Sequence, residues 1–287
     1  MDITIQLPDN FQETTIDELL EKDWLVPRKV RHFLRTRKNV MVNGQAVRFH
    51  LPVKAGDTLS LHFEQEDYPT PNIHIGDPSL LTILFEDEHL IIVNKPIGMK
   101  THPNEPEERD TLLNQLAGYL TPKGQFPYVV HRLDRETSGC IVFAKNPFVL
   151  PIVGQMLEQK KIYRRYQAIV SGKIERPSWT INKSIGRHRH DRRKYVVDPK
   201  KGKHAVTHVE KVSYDQQNNQ TAVFCTLDTG RTHQIRVHLS NEGFPIVGDP
   251  LYGRTSAKRL MLHAYELHLL HPFTKEEIIV QSLPGLW

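Results

Sequence analysis

HRLDRETSG, running from His131 to Gly139, lies between two β-rich apolar runs, Tyr128 to Leu133 and Cys140 to Ala144. The β-branched and aromatic content of these flanks reads as neighbouring strands, with the polar stretch as the loop between them. Such a loop is held by a rigid sheet and open to a substrate, and it carries the carboxylate of Asp134. Taken alone, an Asp in a Gly-terminated loop is an ordinary polar turn. Its meaning depends on what the rest of the chain places beside it.

Working outward, strands dominate from Leu80 onward. ILFEDEHLIIVNKP gives two strands around an acidic turn, and KIYRRYQAIVSG and TAVFCTLDTG alternate as strands. TLLNQLAGYL and FVLPIVGQMLEQK have helical spacing, and THQIRVHLSNEG reads as a helix from Thr232 ended by Gly243. This order is not a regular β-α-β alternation. It predicts an α+β domain around a mostly antiparallel mixed sheet with flanking helices.

The first ~65 residues follow a different pattern. Thr15 can cap a short helix IDELLEKD, Pro27 suits the first turn of a second helix reaching Lys38, and VMVNGQAV is a hairpin whose Asn43-Gly44 turn favours type I′ geometry. A strand, DTLSLHF, follows Gly56. Residues 64–79 combine acidic residues with three prolines and read as a semi-rigid linker. The expected organisation is a small α/β module over 1–68, a linker over 69–79 and the main domain over 80–287.

Composition narrows the class. A chain of 287 residues with 38% hydrophobic content can build a large core. No apolar run approaches the ~18 residues needed to span a bilayer, and MDITIQLPDN lacks the basic-then-apolar order of a signal peptide, so the expected location is cytoplasmic, away from membranes. Cys140 and Cys225 sit in apolar strand-like runs and are expected to be reduced and buried; no Cys-x-x-Cys pair suggests zinc. A net charge of +5 mildly favours polyanionic partners, and its distribution says more. Arg28, Lys29, Arg31, Arg35, Arg37 and Lys38 fall in one stretch without an acid, and nine Lys or Arg between Lys183 and His204 face only Asp191 and Asp198. Both clusters fit phosphate footprints, and both equally fit solvated surface.

HRLDRETSG, together with LIIVNKPIGMKTHP at 90–103, RRYQAIVSG at 164–172 and TGRTHQIRVHL at 229–239, resembles the RluA-type pseudouridine synthases, which isomerise uridine within RNA. These four ordered motifs span most of residues 84–270. The N-terminal pattern of two helices and a small sheet, closing on VKAGDTLSL, resembles the alpha-L RNA-binding module found in a small-subunit ribosomal protein and many RNA-modifying enzymes. Departures are small: Cys140 stands where Leu or Val commonly follows TSG, and Arg164 replaces a frequent lysine. The basic stretch 183–204 lies outside the family pattern and is a candidate for choosing among RNAs.

The resemblance implies an isomerase acting on structured RNA, ribosomal or transfer, without cofactor or metal, and expected to be a monomer. Asp134 would attack the anomeric carbon, stabilise its developing charge, or remove a ribose proton. Arg231 would pair with it, because a cation just before a helix start is disfavoured by the helix dipole unless an anion is near; the competing role for Arg231 is an RNA phosphate. Tyr166 would stack on the uracil. It is chosen over Tyr163 because Tyr166, Ala168 and Val170 share one strand face and fit the family spacing to Gly172. Arg132 would fill the gap left by an extruded nucleotide, with a salt bridge under the loop as its alternative role. His131, Lys95 and Ile235 complete the expected substrate-binding set, and Lys95, Pro96 and His102 would shape the pocket wall. Arg28, Lys29, Arg31, Arg35 and Lys38 would meet phosphates. His188 and His190 read as RNA contacts or surface residues rather than metal ligands.

Two rival classes are weighed. HRLD resembles the HRD loop of protein kinases, but the inserted Leu133 and the absence of GxGxxG and DFG argue against it. A non-catalytic RNA-binding protein derived from a synthase would have lost some of Asp134, Tyr166 and Arg231, and all three are present.

Overall fold

A computed structural model describes residues 1–285 and 287. A ten-stranded sheet organises the chain beyond residue 82, with strands in the order Ser178–Asn182, Val206–Asp215, Gln220–Leu227, Ile162–Ser171, Leu262–Leu270, Ser138–Ala144, Leu90–Lys95 and Ile83–Glu86. Glu277–Gln281 also pairs with Leu262–Leu270, and Tyr128–Val129 with Ser138–Ala144. One pairing, Ser138–Ala144 against Leu262–Leu270, is parallel. The sheet is therefore mixed and mostly antiparallel, as the irregular element order implies.

That parallel contact explains the last residue of the HRLDRETSG stretch. Gly139 has φ 116°, and a Cβ there would lie 2.2 Å from the Ala264 carbonyl oxygen. Only glycine lets the two backbones approach so closely. The strand before the loop is shorter than its apolar run predicts, ending at Val129 instead of Leu133. Leu133 is taken out of the ladder by a side chain: its N–H donates to Thr101 Oγ1 at 3.2 Å, and the Thr101 hydroxyl donates to its carbonyl at 2.9 Å. Residues 130–137 are thus released as the loop that carries Asp134.

Alternation along Ser138–Ala144 feeds two cores. Ile141 and Phe143 join Leu112, Leu116 and Leu120 of the helix Leu112–Leu120, together with Ile235 and Leu239 of the helix Gln234–Asn241. Cys140, Val142 and Ala144 join the helix Val149–Glu158 and the N-terminal module.

In that module Thr15 caps Ile16–Glu18, which continues as one π-helical turn, Leu19–Asp23; Pro27 stands at the N-cap position of Arg28–Thr36 without a capping bond, and that helix ends two residues short of the expected Lys38. Asn43 and Gly44 have φ 50° and 79°, the signs a type I′ turn requires. Trp24 meets Phe273 edge-on with centroids 4.9 Å apart, Phe63 lies 5.1 Å from Phe148, and Lys275 Nζ donates to the Asp23 carbonyl at 2.9 Å. Pulling the module away would expose Trp24 and Phe63, at roughly 2–3 kcal/mol per ring. The connecting residues run along the helix Leu112–Leu120: Gly76 N donates to Asn114 O at 2.9 Å, and Asn114 Nδ2 to His74 O at 2.7 Å.

Candidate active site

The 130–137 loop is clasped from below by residues 95–101. Lys95 is fully buried and its ammonium donates to the carbonyls of Pro96 (3.0 Å), Met99 (2.7 Å) and Arg135 (3.3 Å). Gly98 and Arg135 exchange two further bonds, Gly98 N to Arg135 O at 2.8 Å and Arg135 Nε to Gly98 O at 2.9 Å. Burial pushes the Lys95 ammonium down to about 7, against the attraction of Asp134 and Glu136. With its donors spent on backbone and its side chain fully buried, Lys95 ties the two loops together, and it is absent from the lining of both clefts that border Asp134.

Above the loop a cleft of about 530 Å³ is lined by His131, Arg132, Asp134, Arg164, Tyr166, Ile235 and the turn Thr229–Gln234, among others. Tyr166 is buried on one face of its strand while Tyr163, on the other, is 41% exposed. Arg132 is exposed and borders both this cleft and a smaller one beyond Asp134. Ile235 is buried against the cleft.

The cation on Asp134 is not the expected one. Arg231 turns away, its Nε donating to the His204 carbonyl at 2.9 Å. The helix starts at Gln234 rather than Thr232, because the Gln234 carboxamide accepts from Thr229 Oγ1 (2.7 Å) and Arg231 N (3.0 Å) and donates to Val206 O (2.9 Å), pinning the turn outside the helix. Arg236 falls in the first helical turn, facing the loop, and its Nη1 donates to Asp134 Oδ2 at 3.1 Å. The reasoning that a cation at this helix start needs an anion holds for Arg236. Its Nε and Nη2 form a bidentate pair with Asp249, both at 2.8 Å. Burial opposes the Arg236 charge, but the bonds to Asp249 and the attraction of Asp134 outweigh it and hold the guanidinium protonated beyond the ordinary arginine range. Asp249 resists its own burial through Arg236 and through the N–H groups of Leu251 and Tyr252, and is held below the usual carboxylate range.

His233 completes the surroundings. It adopts φ 58°, ψ 21° as the residue before the helix, with Nε2 3.8 Å from Asp134 Oδ2 and Nδ1 2.9 Å from the Tyr252 hydroxyl. The Tyr252 hydroxyl accepts from Tyr195 N at 2.8 Å, which links the site to the hairpin Ile185–Arg187 and Tyr195–Val197. Sequence reasoning missed Arg236, Asp249, His233 and Tyr252. Arg236 was discoverable: shifting the helix start by two residues places it, not Arg231, on the inward face. Asp249 lies in an irregular GDPLYG segment with no periodicity to mark it.

The basic residues of the N-terminal module are less free than their spacing suggests. Arg31 has a largely buried side chain that donates to Glu21 Oε1 at 2.5 Å and Val26 O at 3.2 Å, Arg35 donates to Asp17 at 2.5 Å, and Arg37 to Asp67 at 2.6 Å. In the free protein Arg31 is thus held by the module's own acids. Arg28, Lys29 and Lys38 are exposed and, among the described residues, form no ion pair. No helix of the described chain is long and apolar enough to cross a membrane. Among the described residues no group of three or more His, Cys, Asp or Glu is arranged to hold a metal.

Fold and cleft together define an α+β protein whose loop carboxylate Asp134 is gripped by a buried arginine, with Glu136 of the same loop 3.8 Å from that cation. Residues 89–241 match the RNA pseudouridylate synthase family, and residues 3–59 match the RluD ribosomal pseudouridine synthase N-terminal domain. An uncharacterized RNA pseudouridine synthase of Bacillus subtilis is 39% identical over 86% of this chain and 82% of its own. The ribosomal large subunit pseudouridine synthase D of Nitrosomonas europaea is 35% identical over 98% of this chain and 84% of its own. The solved structure of human RNA pseudouridylate synthase domain containing 1 superposes with a TM-score of 0.59 at 26% identity, covering 74% of this chain and 86% of that one. The chain belongs to the RNA pseudouridine synthase family. It is an isomerase that converts uridine to pseudouridine in RNA.

Proposed function

We propose that Asp134 is the catalytic group and that the substrate is large-subunit ribosomal RNA, bound by a cytoplasmic monomer. The observation that carries the catalytic assignment is the grip on Asp134: its carboxylate meets Arg236, and Arg236 is itself locked by Asp249. A guanidinium locked in this way fixes where the Asp134 carboxylate stands at the cleft. The ribosomal assignment is supported by the matching N-terminal domain and by what the Nitrosomonas relative is named to act on. Residues 1–68 serve as the RNA-binding module and 80–287 as the catalytic domain.

In this reading Tyr166 stacks on the uracil and Arg132, exposed at the cleft mouth, fills the space of the extruded nucleotide. The bond between N1 and the ribose anomeric carbon breaks with its electron pair going to N1. Asp134 then supports the ribose by attack, making an ester bond that breaks with its electron pair returning to the carboxylate as C5 bonds, by charge stabilisation, or by taking a ribose proton that it gives back in the same closing step. The uracil turns, C5 bonds to the anomeric carbon, and the hydrogen of C5 leaves as a proton while N1, freed of the ribose, gains one. Glu136 lies 3.8 Å from Arg236 and is shared with the same cation, which leaves it poorly suited to activating water.

Asp134→Asn should keep fold and RNA affinity while abolishing release of tritium from RNA labelled at uracil C5, since the amide is neither charged nor nucleophilic. Tritium release at an undiminished rate would remove Asp134 from the mechanism. No release from the unaltered protein on any ribosomal transcript would point instead to a chaperone role or to a different RNA.

A further inference from the structure

Arg164 stands on the same strand face as Tyr166, two residues before it, in the wall of the cleft. It is 8% exposed, and among the described residues no carboxylate lies within 4 Å of it and no hydrogen bond leaves its guanidinium. Its Nε is shut off from solvent without a partner. The groups around it offer no compensation. Burial, helped by the charge of Arg164, pushes the His131 imidazole down to about 3, so this neighbour is neutral. Tyr166 keeps its proton, because burial raises its phenol and the nearby Arg164 only partly opposes that. The backbone of Gly230 closes against the guanidinium, with room for a Cβ only at 3.4 Å from Nη1. Asp228, on the same cleft, is already engaged by Lys160 at 2.8 Å and His208 at 3.1 Å.

A buried, unpaired cation costs several kcal/mol, and a fold keeps one where an anion arrives during function. Every other buried arginine of the site has its anion: Arg236 holds two carboxylates. Arg164 waits beside the ring on which the base is read to stack.

We propose that Arg164 is a catalytic residue that binds the uracil anion released when the glycosidic bond breaks. The assignment rests on the reading of Asp134 and Tyr166 above. The bond between N1 and the anomeric carbon breaks, its electron pair stays on the uracil, and the charge spreads onto N1 and the carbonyl oxygens, where a guanidinium can donate. This anion forms whichever of the three routes Asp134 follows. The steps ask no proton of Arg164: the C5–C1′ bond uses the electrons of the uracil ring, the C5 proton leaves, and N1 takes one up. The cation stabilises a charge absent from the bound substrate and so acts on the transition state.

The test uses the full-length protein, a large-subunit ribosomal RNA transcript with uridine, and the same transcript with 5-fluorouridine, whose electron-withdrawing fluorine makes the base a better leaving group. Single-turnover loss of the target nucleotide is followed at saturating RNA after nuclease digestion. Arg164→Met should slow reaction of uridine by roughly 10²–10³-fold, in the range for removing a donor to a developing anion. With 5-fluorouridine the loss should shrink at least about tenfold, because a base that carries its own charge better needs the cation less. RNA affinity and its salt dependence should stay within about twofold, since no phosphate contact is removed. Arg164→Lys keeps a cation and should fall between the two. If the methionine variant melts at a much lower temperature or fails to fold, the lysine variant carries the comparison, and its smaller deficit must also shrink with 5-fluorouridine. Equal losses on the two bases overturn the proposal, as does a loss confined to affinity and salt slope, which would make Arg164 a phosphate contact. Tritium release by the unaltered protein and its abolition in Asp134→Asn test the underlying reading separately, and failure there would remove both.

Discussion

The helix Arg28–Thr36 and the hairpin of Ile185–Arg187 with Tyr195–Val197 are both rich in basic residues, yet the fold treats their charges in opposite ways. On the helix, Arg31, Arg35 and Arg37 are bound by Glu21, Asp17 and Asp67 of the same module. In the hairpin, Arg187, Arg189 and Arg192 are exposed and, among the described residues, form no ion pair, while Arg193 pairs only with Asp191 in its own turn. The acids that neutralise the helix come mostly from the preceding segment, so a count of basic residues along the sequence overstates what phosphate would find. Cations that are held do structural work, and cations that are free are available to RNA.

The largest test of this distinction lies inside the site. Arg236 is a held cation and Arg231 is bound only to a carbonyl. Arg236→Lys retains charge but cannot serve Asp134 and Asp249 at once, and single-turnover isomerisation should fall by about 10²-fold or more. Arg231→Lys should change it by no more than a few-fold. A reversed ranking would return Arg231 to the Asp134 carboxylate.

Replacing Arg187, Arg189, Arg192 and Lys194 together by Gln should come next in size. Each lost phosphate contact reduces the slope of log K against log salt by about 0.7–0.9, so affinity should drop by roughly 10²-fold at moderate salt with a visibly flatter slope. Chemistry at saturating RNA should change less, because phosphate contacts position the substrate. An unchanged slope would hand RNA capture back to Arg28, Lys29 and Lys38. The hairpin is joined to His233 through Tyr195 and Tyr252, so kcat and affinity need measuring separately in this variant.

What the sequence made legible follows from how local each signal is. The Asn43-Gly44 turn, the Thr15 cap and the alternation that separates Tyr166 from Tyr163 depend on neighbours in the chain, and all three stand in the structure. The identity of the arginine on Asp134 depended on where one helix begins, and that was fixed by the Gln234 side chain reaching Val206, 28 residues away. The strand before Asp134 was cut short by Thr101, 32 residues away. Bonds of such range leave no periodic trace. Likewise, nothing in RKVRHFLRTRK announces that Asp17, Glu21 and Asp67 will lie against it.

Acid should separate the two halves of the molecule. His263 is buried and satisfied as the neutral ring: Ser138 Oγ, which takes a bond from Arg259, donates to its Nδ1 at 2.8 Å, and its Nε2 donates to Ser282 O at 2.8 Å. Burial pushes it down to about 4, and His131 to about 3. Both values lie below the ordinary ~6.5, so the unfolded chain binds more protons and stability is lost as pH falls from about 6.5. Between pH 6.5 and 5 each contributes a loss of about 2 kcal/mol. In the N-terminal module His62, bonded to Asp2, is raised, so its contribution runs the other way and is present at low pH. Denaturation followed at pH 7 and pH 5 should show the part built on the ten-stranded sheet weakening, and His263→Gln should flatten that dependence. Equal weakening in a His263→Gln protein would assign the acid sensitivity elsewhere.

The smallest effect compares two neighbours on one helix. Arg31 has little exposed side chain and spends its guanidinium on Glu21, Val26 and, at 3.8 Å, Asp17, so Arg31→Gln should cost about 1 kcal/mol of stability and leave the salt slope of RNA binding where it was. Lys29 is exposed, its ammonium resting 5.5 Å from the Phe33 ring with no acid to hold it. Lys29→Gln should shift stability by less than about 0.5 kcal/mol. Its effect belongs to binding: a reduction of the salt slope by about 0.7–0.9 if one phosphate is met there. Measured side by side, the two variants separate a cation that holds the module together from one that is free to meet RNA. Equal changes of slope would mean that Glu21 gives up Arg31 when RNA arrives, and that ion pairing in the free protein does not decide which cations RNA recruits.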